Sequence, residues 1–306
     1  MNGMRIGVVG VGMVGMPLKR YFEAVRGLTR GENLFLFDRD PAKGFFDDVE
    51  RADIVFVAVP TPRAASGAAN TSIVESAVAE FASSKIIILK STVPPGTTER
   101  LQKQFPMHRF LFNPEFLTEQ RAWEDFVYPD RQLVGWTAES RSAAGDILAL
   151  LPAASVSSPS DSLDLTATEA EIVKYAGNVL LARKVVFANA IYDIASHHGV
   201  DYEKIRAAFS ADSRIGASHL DVYHGGYRGY GGYCFVKDTD GLIAHAEERG
   251  LARVRALLAA DRTYNEELLR DQGLTPDDVS VHDYEWIAKK LGVRSPEVKK
   301  EFTKID

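Results

Sequence analysis

The chain has 306 residues, 45% hydrophobic and 25% charged, with a formal net charge of −6. That length suits two domains, each able to bury its own core. The acidic balance argues against a nucleic-acid backbone as partner, which calls for a basic face, and no apolar run approaches the roughly 18 residues of a membrane span.

Arg5-Ile6-Gly7-Val8-Val9 enters as a buried parallel strand with no charged leader or small-residue cleavage site before it, so no secretory signal is expected. It leads into Gly10-Val11-Gly12-Met13-Val14-Gly15 and then a helical stretch through Tyr21 and Phe22. This is the G-x-G-x-x-G turn in its strand-to-helix setting: one glycine for the tight turn, one for the approach of a pyrophosphate, one for helix–strand packing. A second strand, Leu34 to Phe37, ends at Asp38, where a carboxylate accepts hydrogen bonds from an adenosine ribose and favours NAD over NADP. Arg39 beside it weakens that preference, because an arginine there can meet a 2′-phosphate.

The interval from Asp38 to Ala52 is too short for another complete helix and strand. Strands Ile54 to Val59 and Lys85 to Lys90 end in the polar turns Val59-Pro60-Thr61-Pro62 and Ser91-Thr92-Val93-Pro94-Pro95-Gly96, at carboxyl ends where open α/β sheets bind ligands. Another strand, Arg109 to Phe112, feeds Asn113-Pro114-Glu115-Phe116-Leu117-Thr118-Glu119. Glu115 and Glu119 would share a face if that segment is helical, and taken alone they read as a solvated acidic face. Leu133 to Trp136 looks like a closing strand, followed by a helix from Ser142 to Leu151. The small-residue stretch from Ala153 to Ser160 marks a domain boundary, giving a dinucleotide-binding domain over 1–158 and a helical domain over 159–306.

Asp164 to His197 reads as one long helix without proline, with Lys174 and Asn178 on one face; so long a helix is expected to pack against a second copy. A short helix starts near Val200, and Asp212-Ser213-Arg214-Ile215-Gly216 precedes Gly229-Tyr230-Gly231-Gly232-Tyr233-Cys234-Phe235-Val236-Lys237-Asp238. Cys234 is the one cysteine, which excludes a disulfide within the chain and suits a reducing cytoplasm. The helix after it is expected to start beyond Asp238 and to run to about Leu269, so the thiol would sit just ahead of a helix start and be favoured as thiolate. Read alone, Cys234 is either a nucleophile or a buried small hydrophobe. Thr275-Pro276 and Ser295-Pro296 read as starts of two small helices. His197-His198 reads as a helix C-terminus rather than a metal site, as no third ligand has suitable spacing.

The glycine turn, Val59 to Pro62, Lys90 to Gly96, Asn113 to Leu117, Lys174-Tyr175-Ala176-Gly177-Asn178, Asp212 to Gly216 and Gly229 to Asp238, in that order, resemble the UDP-glucose/GDP-mannose dehydrogenase family over roughly 1–260. The resemblance implies an α/β fold, a Rossmann-like doubly wound parallel sheet followed by an all-α dimerisation domain on the long helix. It implies a cytoplasmic homodimer that uses two NAD to oxidise a nucleotide-sugar alcohol to the uronic acid, through a thiohemiacetal and a thioester on Cys234. Catalytic roles fall to Lys174, Asn178, Asp238, Glu115, Glu119 and Thr92, and substrate contacts to Phe116, Leu117, Arg214, Tyr230, Gly231 and Lys237, besides Lys174 and Asn178. Cofactor contacts fall to the turn from Gly10 to Gly15, Asp38, Arg39, Val59, Pro60, Thr61, Ser91 and Thr92.

Departures accompany the resemblance. The chain ends without the second nucleotide-binding domain usual in the family, so uridine recognition is unsupported and a separate polypeptide is a candidate to supply it. The interval between Arg214 and Cys234 is longer than usual, Val236 replaces a common proline, and Ala190 stands where an acid often follows Asn189. The alternatives are a single-step β-hydroxyacid-type dehydrogenase and a non-catalytic NAD-binding dimer that partners a complete enzyme.

Overall fold

Short runs dominated by β-branched, aliphatic or aromatic residues build the sheet that carries the N-terminal half. A computed structural model describes residues 4–118, 121–154 and 164–280. The chain divides into two units, Met1–Ala64 with Ala69–Tyr175, and Ala65–Ala68 with Ala176–Asp306. The division falls inside the long helix, while the boundary expected at 158/159 lies outside the described residues.

In the first unit, β1 (Ile6–Val9), β2 (Leu34–Phe37), β3 (Ile54–Val57), β4 (Ile86–Leu89), β5 (Arg109–Phe112) and β6 (Gly135–Trp136) form one sheet in the order β2-β1-β3-β4-β5-β6. The first five are parallel, so both faces need cover. Alternation along each strand supplies it. Ile6, Val8, Phe56 and Ile88 face a core shared with α1 (Gly15–Ala24), α4 (Ala122–Val127) and α5 (Ala144–Leu150). Val9, Val55, Val57, Ile87 and Leu89 face a second core with α2 (Ser72–Ala79), α3 (Thr97–Gln104) and the start of α6 (Ala167–His197). Between β2 and β3 the chain makes only two 3-10 turns, Pro41–Lys43 and Val49–Arg51, each capped by an aspartate side chain, Asp40 or Asp48. The closing strand β6 departs from the all-parallel expectation and pairs antiparallel with β5. A parallel return requires a crossover that spans the sheet, and α4 has only six residues.

The second unit holds the rest of α6, α7 (Tyr202–Ser210), α8 (Gly232–Glu248), α9 (Ala252–Asp271) and α10 (Pro276–Val279). Two expectations change here. Helix α8 starts at Gly232, not after Asp238, because the glycines end at 232 and nothing beyond them opposes the helix; Cys234 therefore lies within the first turn. The single helix expected as far as Leu269 is broken at Gly250, whose left-handed φ of 66° separates α8 from α9. Thr275 does start a short helix, closed by a capping box with Asp278, whereas the Ser295-Pro296 start lies outside the described residues.

A buried carboxylate ties α3 to the beginning of α6. Glu171 accepts hydrogen bonds from the Gly96 N–H at 2.5 Å, the Thr98 N–H at 2.8 Å and the Thr98 hydroxyl at 2.6 Å. The donors are orphan groups at a helix start, which a carboxylate satisfies well. Burial pushes Glu171 up to about 7, the three donors opposing. Since the folded value exceeds the ordinary carboxylate value, this group's stabilisation is complete below the unfolded pKa and fades as pH rises through about 7. Urea midpoints for the wild type and Glu171→Gln should therefore diverge between pH 5 and pH 8, with the wild type losing stability relative to the variant. Parallel behaviour across that range would contradict it.

Candidate active site

The glycine turn is shaped by close backbone approach. Gly10 has φ 89°, and a Cβ there would come within 2.6 Å of the Ala58 carbonyl oxygen; a Cβ on Gly15 would lie 1.9 Å from the Gly10 carbonyl oxygen. At Gly12 the space is open, with the Lys43 ammonium the nearest atom at 4.0 Å from a Cβ built there. Space above the middle glycine, at a helix start and near a cation, fits the pyrophosphate of a dinucleotide. Val11 is buried and Met13 exposed. Asp38, buried at the end of β2, accepts hydrogen bonds from the Val11 N–H (2.7 Å), the Asp40 N–H (2.9 Å) and Lys43 Nζ (2.8 Å). Burial alone would raise its pKa; Lys43 and the two N–H groups outweigh that and hold it below the usual carboxylate range. Lys43 escaped the sequence reading, although its position five residues after the ribose acid is a usable signal. Arg39 is directed to Glu80 at 3.1 Å, both side chains exposed.

Two further turns close over the ends of β3 and β4. The Thr61 hydroxyl donates to the Thr92 carbonyl (2.8 Å) and the Ser91 hydroxyl to the Val59 carbonyl (2.6 Å), so the two turns are tied together. Pro60 is exposed and Thr92 half-buried.

After β5, residues Asn113 to Thr118 are not helical, so the shared helix face expected for Glu115 and Glu119 does not exist at Glu115; Glu119 lies outside the described residues. The reason is an ion pair. Lys174 Nζ donates to Glu115 Oε1 at 2.7 Å and to the Glu115 carbonyl at 2.8 Å, and Glu115 Oε2 accepts from the Leu117 N–H at 2.8 Å. Both side chains are almost fully buried, Glu115 at 7% exposure and Lys174 at 3%. Burial opposes ionisation of Glu115, but the charge and hydrogen bond of Lys174, the Leu117 N–H and the charge of Lys90 together hold it below the usual range. Glu115, Phe116 and Leu117 line a cavity of about 430 Å³ that Lys90 also lines. The Phe116 ring lies between the Arg131 guanidinium, 3.9 Å from its centroid, and the Lys174 ammonium at 5.7 Å.

In the second unit, Asp238 is fully buried in α8 one turn after Cys234, and its carboxylate accepts from Asn178 Nδ2 at 2.6 Å and from Lys237 Nζ at 2.5 Å. Cys234 is half-buried. Tyr230 is buried, and its backbone N–H and carbonyl are both held by the Asn265 amide, at 2.7 and 3.1 Å. Gly231 leaves no room for a side chain, since a Cβ would lie 2.0 Å from the Tyr227 hydroxyl. Arg214 is exposed and its guanidinium rests on Asp212, with Nε 3.0 Å from Oδ1. Sequence reasoning missed Asn265, Lys90 and Asn113 as contributors, because single polar residues on strand ends and helix faces carry no spacing signal.

The Asp38 carboxylate supports the turn and presents the acceptor that a ribose diol requires. Asp38→Ala is expected to weaken NAD binding about tenfold, the scale of one hydrogen bond to a charged group, measurable by calorimetric titration; unchanged affinity would remove Asp38 from the cofactor site.

Residues 43–149 match the NAD binding domain, and residues 168–267 the central domain, of the UDP-glucose/GDP-mannose dehydrogenase family. A UDP-glucose 6-dehydrogenase of Pseudomonas aeruginosa is 34% identical over 289 residues, covering 81% of this chain and 62% of that protein. A putative UDP-glucose 6-dehydrogenase of Bacillus subtilis is 30% identical, covering 80% of this chain and 64% of its own length. Among solved structures, a UDP-glucose dehydrogenase of Pyrobaculum islandicum superposes with a TM-score of 0.74 at 29% identity, covering 96% of this chain and 82% of that one. The chain thus spans a little under two thirds of the length of these two curated relatives. The sheet-bearing unit carries the NAD binding domain, NAD is its cofactor, and the chain belongs to the UDP-glucose/GDP-mannose dehydrogenase family.

Proposed function

We propose that this protein is an NAD-dependent nucleotide-sugar dehydrogenase that oxidises the primary alcohol of a UDP-glucose-like substrate to the carboxylate in two steps. The observation that carries the reading is the retention, in bonded networks, of the family's ionisable set. Lys174 is paired with Glu115, and Asn178 is bonded to Asp238 one turn after Cys234.

NAD, when bound, accepts two electrons and one hydrogen in each of the two oxidations. The residues named above as its cradle, from Gly10 to Gly15 and Asp38, would hold it. The proton of the alcohol passes, as the aldehyde forms, to one of the carboxylates assigned to substrate and water, Glu115, Glu119 or Asp238. The Cys234 thiolate then forms a carbon–sulfur bond to the aldehyde carbon, and the carbonyl electron pair moves to oxygen. Lys174 and the Asn178 amide supply the cationic and neutral donors for that oxygen. The second oxidation leaves a thioester on Cys234. Water adds to it, the carbon–sulfur bond breaks, the sulfur leaves as thiolate, and the product carries the carboxylate. Glu115, Glu119, Thr92 and Asp238 are assigned to orienting or deprotonating that water. Phe116, Leu117, Tyr230, Gly231 and Lys237 are assigned to the sugar. Arg214 suits a diphosphate because its planar fork binds two oxygens at once.

The same reading makes a second copy of the chain the macromolecular partner. Leu180, Phe187 and Ile194 stand at seven-residue intervals on α6 and are 60%, 57% and 57% exposed, an apolar stripe that water covers poorly. No described helix is long and apolar enough to cross a membrane.

Two NADH per sugar are expected with UDP-glucose or a related nucleotide sugar, and Cys234→Ala should abolish the four-electron reaction. One NADH per substrate with full activity in Cys234→Ala is what a single-step hydroxyacid dehydrogenase would give, and no turnover with any nucleotide sugar would leave a NAD-binding scaffold. Phe187→Glu should convert a dimer into monomers in analytical ultracentrifugation, and a dimer that survives it would place the interface elsewhere.

A further inference from the structure

A second buried lysine lies beside the Glu115–Lys174 pair. Strand β4 is followed by Lys90 and β5 by Asn113, and the ladder continues past both strands, the Asn113 N–H donating to the Leu89 carbonyl at 2.9 Å. Lys90 is 3% exposed, and its Nζ donates to Asn113 Oδ1 at 2.6 Å. The other end of that amide is also committed, Nδ2 donating to Gln132 Oε1 at 2.8 Å and to the Leu133 carbonyl at 2.7 Å. Asn113 is thereby fixed in both position and orientation, and Pro114-Glu115 follow it directly.

The charges do not cancel. Lys174 and Glu115 are already a neutral pair, so a protonated Lys90 adds one surplus positive charge in a place where an apolar side chain of similar length would cost less. Burial pushes the Lys90 amine down to about 7, with Glu115 opposing and Lys174 adding to the shift. Glu115 and Lys174 are the charged groups acting on it, and Arg121, Asp125, Asp130 and Arg131 stand on the remaining wall of the shared cavity. An ammonium has three hydrogens, and one of them is committed to Asn113.

We propose that Lys90 is a positioning residue for Glu115: through Asn113 it fixes the segment that bears the carboxylate, and its charge keeps that carboxylate ionised and ready to take a proton from water. The role rests on the reaction proposed above for its catalytic meaning, but its electrostatic part can be read without turnover.

Two variants separate the components. Lys90→Met removes both charge and donor, whereas Lys90→Gln keeps a donor for Asn113 without the charge. In carboxyl carbon-13 NMR titrations of the full chain, Glu115 should titrate about one pH unit higher in both variants, the scale of one lost neighbouring charge. With a nucleotide sugar that is turned over, the acid limb of kcat should move up by the same amount while KM stays within about twofold. Lys90→Met alone should also lower kcat at the pH optimum, by about tenfold, through the loosened Asn113. An unmoved Glu115 titration in both variants overturns the proposal. A moved titration without turnover on any nucleotide sugar would retire the functional reading and leave the Lys90–Glu115 relation standing. Should neither variant fold, the carboxyl carbon-13 titration of Glu115 in the wild type decides: a second inflection of the Glu115 signal at the pH where a lysine ammonium loses its proton supports the proposal, and a Glu115 signal that does not respond to that titration overturns it.

Discussion

A dry ion pair between Glu115 and Lys174 sets the conditions for the sheet-bearing unit. Taking either partner away would strand the other as a buried charge, at a cost of about 3–5 kcal/mol, so the segment after β5 and the first turns of α6 can fold only together. That requirement accounts for features which make little sense singly. Residues 113 to 118 forgo helix, because Glu115 must present two oxygens and a carbonyl to the Lys174 amine and the Leu117 N–H. Helix α6 is held at its start by Glu171, one turn before Lys174.

The first unit was largely legible. Strands of four hydrophobic residues ending in Asp38, Pro60-Thr61 or Ser91-Thr92 announce a parallel sheet with its polar turns on one edge, and the glycine turn announces its ligand. What stayed hidden depends on partners distant in sequence. A buried lysine at the end of β4 looks the same on paper as a surface one until Asn113 is placed beside it. The reversed direction of β6 follows from the shortness of α4, which itself borders residues that carry no strong pattern. In the second unit, the start of α8 was misjudged because Lys237-Asp238 has the look of a polar helix entry; both side chains are in fact buried and bonded to each other. The Arg249-Gly250 break was equally quiet, a single glycine among helix formers.

Glycines in the 229–232 segment serve packing. Asn265 from α9 clasps the backbone of Tyr230, and the missing side chain of Gly231 leaves room for the Tyr227 hydroxyl and for Val279 of α10. The stretch before the thiol is thereby fixed by the C-terminal helices of its own unit. The entry of α8, and with it the direction of the first-turn N–H groups around Cys234, is set by residues that have no chemistry of their own to contribute.

The apolar stripe on α6 also dictates a hand. Seven residues of a straight α-helix fall about 20° short of two full turns, so Leu180, Phe187 and Ile194 trace a line that winds slowly around the rod. A neighbouring rod that follows this line must coil to the left. Over the two heptads from 180 to 194, about 21 Å of axis, the drift amounts to about 40°, so a neighbour that keeps contact with all three side chains has to bend along with it.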